Sequence, residues 1–361
     1  MQIGFESNSG LEALGWDDWF AGHAATDCHS TGSFARVAAV DRELLLLINE
    51  SGAFRAKLSG KYMYESVSSS ERPCVGDWVC VEKAQADQFG LVHCIIGRKT
   101  SLRRKAAGES VDYQMIAANV DFVFIVQSCH YDFNLKRLER YLVMVRDGGV
   151  VAHILLNKTD LVAPEVLSSQ LARIKGAGID VPVLPLSNVT KQGIDELQRL
   201  LLPRNTYCFV GSSGVGKSTI INGLVGRSVL ETKEVSGTGE GRHTTVRREL
   251  IVLDNGAMVI DNPGMREFGV LGAGSGIEAS YSDIVALSSQ CHFRDCTHTS
   301  EPGCAVLQAI ESGMIDADHY DNFLKLRSES EHYQASYAER RKKDREFGRY
   351  INSAKKDLEG E

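Results

Sequence analysis

Residues 211–218 read Gly211-Ser212-Ser213-Gly214-Val215-Gly216-Lys217-Ser218, a glycine-rich turn with a lysine and a hydroxyl directly behind it. Glycines let backbone N–H groups turn inward around phosphate oxygens, and a helix start at Thr219 adds a favourable field for an anion. Lys217 is placed to reach the β and γ phosphates, which makes it a catalytic as well as a binding candidate. Ser218 is placed to ligate Mg²⁺.

A second constellation, Asn157-Lys158-Thr159-Asp160, ends the apolar run Val151 to Leu156. A carboxylate there accepts from both N1–H and the 2-amino group of guanine. Adenine offers neither donor, so Asp160 discriminates against it by the cost of an unpaired charge. Lys158 would lay its stem along the base, and Asn157 would tie this loop to the phosphate loop. Ser187, after the next apolar run, is expected to offer its backbone N–H to the guanine oxygen.

The third element is Asp261-Asn262-Pro263-Gly264. Asp261 follows Met258-Val259-Ile260 and fits an aspartate that holds Mg²⁺ through water, while Gly264 would give an N–H to the γ-phosphate. Upstream, Gly241-Arg242-His243-Thr244-Thr245 lies in a glycine-rich stretch suited to a switch loop, and Thr244 or Thr245 could complete the Mg²⁺ shell. Ras-like enzymes orient the attacking water with a glutamine after that glycine. Met265 stands here and cannot do so, which leaves His243 as the water-positioning candidate. In an ordinary GTPase the base-reading motif follows the phosphate loop; here it precedes it, so the chain carries a circularly permuted set.

Cys291, Cys296, His298 and Cys304 fall within a short window. Cys₃His is a structural zinc set, and four protein ligands leave no open position for catalysis. One zinc per chain is expected, alongside Mg²⁺ bound with GTP. His292, adjacent to Cys291, is the poorer ligand. Cys74, Cys80, Cys94, Cys129 and Cys208 stand singly in apolar contexts and read as small buried hydrophobes in a reducing cytoplasm.

These residues need a scaffold, and the chain is long enough for several domains. Residues 1–32 form an extension with Trp16, Trp19 and Phe20 in a short helix and turn. Residues 33–108 show short alternating segments separated by Gly and Ser turns, which predicts an OB-type five-stranded barrel. Residues 109–280 alternate strand and helix, predicting an α/β domain with a mostly parallel sheet and a hairpin turning at Asp254-Asn255-Gly256. Residues 281–361 would hold the zinc knuckle and helices, ending in a charged tail.

Net charge is −7, so the chain is not basic throughout. Two local runs could still meet phosphates: Arg98, Lys99, Arg103, Arg104 and Lys105, and Arg340 to Arg349. No apolar run reaches membrane-spanning length, and nothing at the N-terminus reads as a secretory signal.

With the permuted order, the barrel and the Cys₃His knuckle together, the chain resembles the ribosome small-subunit-dependent GTPase A (RsgA, or YjeQ) family over roughly residues 33 to 350. The resemblance rests on Pro73-Cys74-Val75-Gly76-Asp77-Trp78-Val79, Gly241 to Thr245, Asp261 to Gly269, and Cys291-His292-Phe293-Arg294-Asp295-Cys296. It implies a cytoplasmic, monomeric GTPase acting in late maturation of the 30S subunit. Stimulation by that subunit, barrel and zinc-domain contacts to 16S rRNA, and catalysis by His243 are also implied. Asn262 departs from the family's usual Thr, and the leader is longer than the core needs. The competing reading is a non-catalytic scaffold in which nucleotide gates an rRNA clamp.

Overall fold

The computed structural model describes residues 9–28, 32–41, 44–65, 68–83, 89–105, 113–226, 248–261 and 273–333. Two leader helices, α1 (Ser9–Glu12) and α2 (Asp18–Asp27), come first. Asp17 caps α2 by accepting from the Trp19 and Phe20 N–H groups, satisfying donors that a helix start leaves open.

Five strands follow: β1 (Ser33–Asp41), β2 (Leu44–Asn49), β3 (Gly52–Leu58), β4 (Trp78–Lys83) and β5 (Gly90–Ile95), with the short helix α3 (Gly60–Glu65) after β3. They pair in the order β1-β2-β3-β5-β4, and β4 returns to β1, so the expected OB-type barrel closes. Closure removes the open edges that would otherwise invite strand addition. Strict alternation of burial along β2 sends every second side chain inward, where Leu45 and Leu47 meet Ala35, Val37, Val79 and Val92.

The leader is welded to this barrel. Trp16 and Phe20 pack on Trp78, with Trp16 edge-on to it at 4.9 Å between centroids. Arg36, 2 % exposed on β1, donates to the Leu14, Gly76 and Asn119 carbonyls at 2.5, 3.3 and 2.8 Å. One guanidinium therefore joins leader, barrel and the segment entering the next domain. Cys94, expected as a solitary buried thiol, is instead disulfide-bonded to Cys28 at the end of α2. A 66-residue separation hides such a pairing from any local pattern.

A two-stranded ribbon, β6 (Ser101–Lys105) and β7 (Tyr113–Ala118), leads out of the barrel. Its Leu102, Ile116 and Ala117 pack into the core of the following domain. A boundary at 108/109 thus falls between two paired strands, and the packing divides the chain ahead of β6.

The α/β domain contains β8 (Phe122–Ser128), α4 (Leu135–Asp147), β9 (Val151–Asn157), α5 (Pro164–Gly176), β10 (Val183–Pro185), α6 (Ile194–Leu200), β11 (Thr206–Val210) and α7 (Lys217–Val225). The hairpin β12 (Glu249–Val252) and β13 (Met258–Asp261) completes it. Its strands pair in the order β10-β9-β8-β11-β13-β12, parallel except for the final hairpin. The continuous apolar runs of β8 and β11 are buried on both faces, as central parallel strands under helices on each side require. The hairpin turns at Asp254-Asn255-Gly256 as expected, with Gly256 at φ 81°.

The last lobe holds α8 (Gly274–Ser280), α9 (Ser282–Ser288), α10 (Ala305–Glu311) and a helix, α11, described from 317 to 333. Val143 of α4 enters its core beside Tyr281 and Phe323, so this lobe packs directly on the α/β domain. Among the described residues, no helix is long and apolar enough to cross a membrane.

Candidate nucleotide and metal sites

The carboxyl ends of β8, β9, β11 and β13 bring the predicted elements to one edge of the sheet, the position where open α/β sheets bind ligands. The phosphate loop leaves β11 with Gly211 at φ 146° and Gly216 at φ 103°. A Cβ on Gly211 would lie 2.2 Å from the Val126 carbonyl oxygen, and one on Gly216 would lie 2.3 Å from Asn157 Nδ2. Only glycine permits both the conformation and the close approach. Ser212, Ser213 and Gly214 form the accessible turn, Val215 is buried beneath it, and Ser218 and Thr219 occupy the first turn of α7.

Lys217 is 8 % exposed, and its Nζ donates to the Gly211 and Ser212 carbonyls at 2.7 and 2.6 Å. Burial lowers its pKa to about 8, against the opposing charges of Asp261 and Asp132. An ammonium so poorly solvated gains strongly from a polyphosphate placed beside it. Asp261 ends β13 at 2 % exposure. Asp132, in the loop after β8, is a residue that sequence reasoning misses, because nothing in its local pattern marks it. Burial raises its pKa, opposed by Arg137, Ser212 and Lys217, which places this carboxylate at the rim of the phosphate loop.

The base-reading loop is fastened to the phosphate loop. Asn157 Nδ2 donates to the Val215 carbonyl at 2.7 Å, and both residues are buried. Lys158 adopts a left-handed backbone at φ 65°, which turns the chain away from β9. The Ser187 hydroxyl donates to Asp160 Oδ1 at 2.5 Å and accepts from the Val189 and Thr190 N–H groups at 3.1 Å each. The Ser187 N–H, expected to face guanine, donates instead to the Gln192 carbonyl at 3.0 Å. Its loop folds back on itself, and the contact Ser187 makes with Asp160 is through its hydroxyl. Beside this loop an open cleft of about 250 Å³ is lined by Asn188, Lys191, Thr219 and Leu224. His243, Thr244, Thr245 and Gly264 lie outside the described residues.

The four predicted metal ligands converge: one ligand atom from each of Cys291, Cys296, His298 and Cys304 lies within 4.8 Å of the others. His298 Nδ1 is 3.5 Å from both the Cys291 and Cys304 sulfurs. A left-handed backbone at His298, φ 64°, points the ring back at the thiols, and the Tyr320 hydroxyl holds its carbonyl. Partial burial opposes ionisation of Cys291, but N–H groups of Ala305 and Val306 in the first turn of α10 bring its pKa below the usual value. Three soft thiols and an imidazole, which together fill a tetrahedral shell, fit a closed structural metal site. His292 stands apart from this group.

Among the described side chains of the first basic run, each cation is engaged within the protein. Arg98 clasps fully buried Asp77 through Nε and an Nη at 2.7 and 2.8 Å and donates to the Ser70 and Arg72 carbonyls. Lys99 pairs with Asp17 of the leader. Arg103 pairs with Asp147 at 2.9 Å, and Arg104 donates to Gln114 at 3.0 Å. Arg98 thus braces the barrel internally, Lys99 ties the leader to the segment leaving it, and Arg103 and Arg104 are held within the ribbon and the α/β domain. The second run, Arg340 to Arg349, lies outside the described residues.

A glycine-rich loop on one central strand, an Asn-Lys-Thr-Asp loop that precedes it in the chain and is fastened to it, and a barrel ahead of both define a circularly permuted GTPase. Residues 95–271 match the RsgA GTPase family profile. A small ribosomal subunit biogenesis GTPase RsgA 2 of Lactiplantibacillus plantarum is 42 % identical over 295 residues, covering 81 % of this chain and 82 % of that one. An RsgA 1 protein of the same description from Bacteroides thetaiotaomicron is 36 % identical, covering 97 % and 98 %. The chain belongs to the RsgA GTPase family. Its fold matches the crystal structure of YjeQ from Thermotoga maritima with a TM-score of 0.61 at 24 % identity, over 81 % of this chain and 96 % of that one. It also matches YloQ, a circularly permuted GTPase, with a TM-score of 0.59 at 23 % identity, over 85 % and 97 %.

Proposed function

We propose that this chain binds GTP between Asp160 and the phosphate loop and hydrolyses it on the small ribosomal subunit during late maturation, leaving the subunit once the γ-phosphate is lost. The observation that carries this reading is the Asn157–Val215 hydrogen bond of 2.7 Å, which makes the base reader and the phosphate cradle one rigid unit. The acceptor carboxylate of Asp160 is aimed by Ser187, and Lys217 supplies the charge that meets the β and γ phosphates.

Ser218 and Asp261 would hold Mg²⁺, with Thr244 or Thr245, and that ion would neutralise charge on the phosphates. His243 would position the attacking water, and Gly264 would donate its N–H to the γ-phosphate. Cys291, Cys296, His298 and Cys304 would hold one structural zinc. The working partners are the 30S subunit and its 16S rRNA, the working form a cytoplasmic monomer. The names of the relatives in Lactiplantibacillus and Bacteroides support the ribosomal assignment.

The test is GTP turnover by the purified chain with and without 30S subunits. Stimulation by the subunit is expected. Nucleotide-dependent binding to the subunit without faster turnover would instead support the scaffold reading, which Met265 in place of a water-orienting glutamine favours.

A further inference from the structure

The leader and barrel share a third cysteine beside the disulfide. The sulfurs of Cys28, Cys80 and Cys94 lie within 4.8 Å of one another. Cys94 on β5 is bonded to Cys28 at the end of α2, with their Cα atoms 6.4 Å apart. It also sits directly opposite Cys80 in the register of β4 against β5. Cys94 therefore has two geometrically accessible partners, one on the leader and one on the barrel. Cys28 and Cys94 are half-buried, whereas Cys80 is fully buried. A Cβ on Gly32 would come within 2.9 Å of the Cys80 sulfur, so the group lies where the leader enters β1.

We propose that Cys28, Cys80 and Cys94 form a thiol–disulfide modification site, in which a small-molecule disulfide staples the leader to the barrel and Cys80 is the resolving thiol. In closing, the Cys28 thiolate attacks the small disulfide and releases one small thiolate. The Cys94 thiolate then attacks the Cys28 sulfur and expels the second. Two protein thiols are oxidised and one small disulfide is reduced to two thiols. In opening, the Cys80 thiolate attacks Cys94, the Cys80–Cys94 bond forms, and Cys28 leaves as a thiolate with no net oxidation. Exposure assigns the roles: the half-buried pair meets the external reagent, and the buried thiol reacts only within the chain.

The staple acts on the contact between the leader and Lys99. The leader places Asp17 on Lys99 and the Phe20 ring 4.9 Å from its ammonium. A closed staple holds the leader against that lysine, and an open one lets the leader move off it.

Zinc-loaded full-length chain incubated with oxidised glutathione, alkylated and mapped without reduction tests this. A Cys28–Cys94 link is expected in the unmodified chain, and Cys28→Ser should yield Cys80–Cys94 instead. Limited proteolysis should cut the leader several-fold more slowly in the oxidised chain than in the reduced one, a difference that Cys28→Ser abolishes. Cys80→Ser should still form the staple but release it several-fold more slowly in reduced glutathione. Absence of any Cys94 link in both the unmodified chain and Cys28→Ser overturns the site. So does a second metal equivalent per chain that shields the three thiols and is lost in Cys28→Ser. An unchanged opening rate in Cys80→Ser overturns the resolving role.

Discussion

Glu139 Oε1 lies 2.5 Å from His319 Nδ1, both side chains buried, in a contact that joins α4 of the GTPase domain to α11 of the metal-binding lobe. Asn322 donates to the other Glu139 oxygen at 2.5 Å and bonds the Tyr281 hydroxyl at 3.1 Å. Asp283 faces the far ring nitrogen at 3.3 Å. The two domains therefore share one polar network inside an otherwise apolar interface, and whatever shifts α4 shifts the metal lobe with it.

That network makes stability depend on pH. Burial opposes charge on His319, but its bonds to Asp283 and Glu139 outweigh burial and raise its pKa from 6.5 to about 9. A raised histidine contributes its full stabilisation below the unfolded value, so this contribution is complete below 6.5 and lost as pH rises through about 9. Burial is likewise outweighed at Asp283, whose pKa is lowered by His319 and by the Ile284 N–H. Its contribution is lost only on acidification. Thermal unfolding of the metal-loaded chain should show a falling midpoint above neutral pH. His319→Gln should flatten that alkaline slope and cost about 3 kcal/mol, the cost of leaving a buried partner charge alone. An unchanged slope in the variant would remove His319 from this role.

Base selection should change with a single amide. Asp160→Asn keeps a carbonyl that can accept from the Ser187 hydroxyl, now 2.5 Å from Asp160, so the loop stays in place while the carboxylate that matches guanine is lost. GTP affinity should fall by about two orders of magnitude or more, and xanthosine triphosphate should become the better ligand. Asn157→Ala should weaken both nucleotides alike, by about 5- to 150-fold, because it leaves the buried Val215 carbonyl unpaired. Competition binding separates the two outcomes. Full GTP affinity in Asp160→Asn would sink the assignment of the base reader.

The sequence made local chemistry legible and left tertiary pairing hidden. Gly211, Gly216 and Lys217 reveal a phosphate loop because their roles depend on spacing within one turn, and Cys291 to Cys304 reveal a metal knuckle for the same reason. Arg98 reads as a phosphate contact, since nothing near it announces Asp77, its partner 21 positions earlier. Cys94 reads as an isolated thiol because Cys28 belongs to a different element. The Ser187 N–H reads as a guanine contact because the turn that carries it back to Gln192 depends on how its loop closes. A boundary at 108/109 misses the ribbon for a related reason: strand alternation continues through β6 and β7, while their core lies in the next domain.

Arg36 should prove to be the keystone of the leader. Burial lowers its pKa to about 10, against the charges of Asp121 and Asp77, and three carbonyls from three segments receive its N–H groups. Arg36→Met preserves the stem but removes the guanidinium donor from the Leu14 and Asn119 carbonyls, while Gly76 keeps only Asn119 Nδ2 at 3.2 Å. A loss of about 3 kcal/mol is expected, with hydrogen exchange rising first in residues 9–28. Protection unchanged there would show that Trp16 and Phe20 hold the leader without the guanidinium.

Metal removal should reach beyond the knuckle. The purified chain is expected to hold about one zinc, and Cys296→Ala to lose it. Tyr320 binds the His298 carbonyl, and the neighbouring His319 binds Glu139, so the ligand loop and the interface are held by adjacent residues on α11. Chelation should therefore expose amides in 273–333 and also in α4, while leaving the barrel strands protected. Elemental analysis with hydrogen exchange before and after chelation reads both effects. Exchange confined to residues 291–304 would mean that the knuckle is insulated from α4, and that a change at the nucleotide cannot travel to it through Glu139.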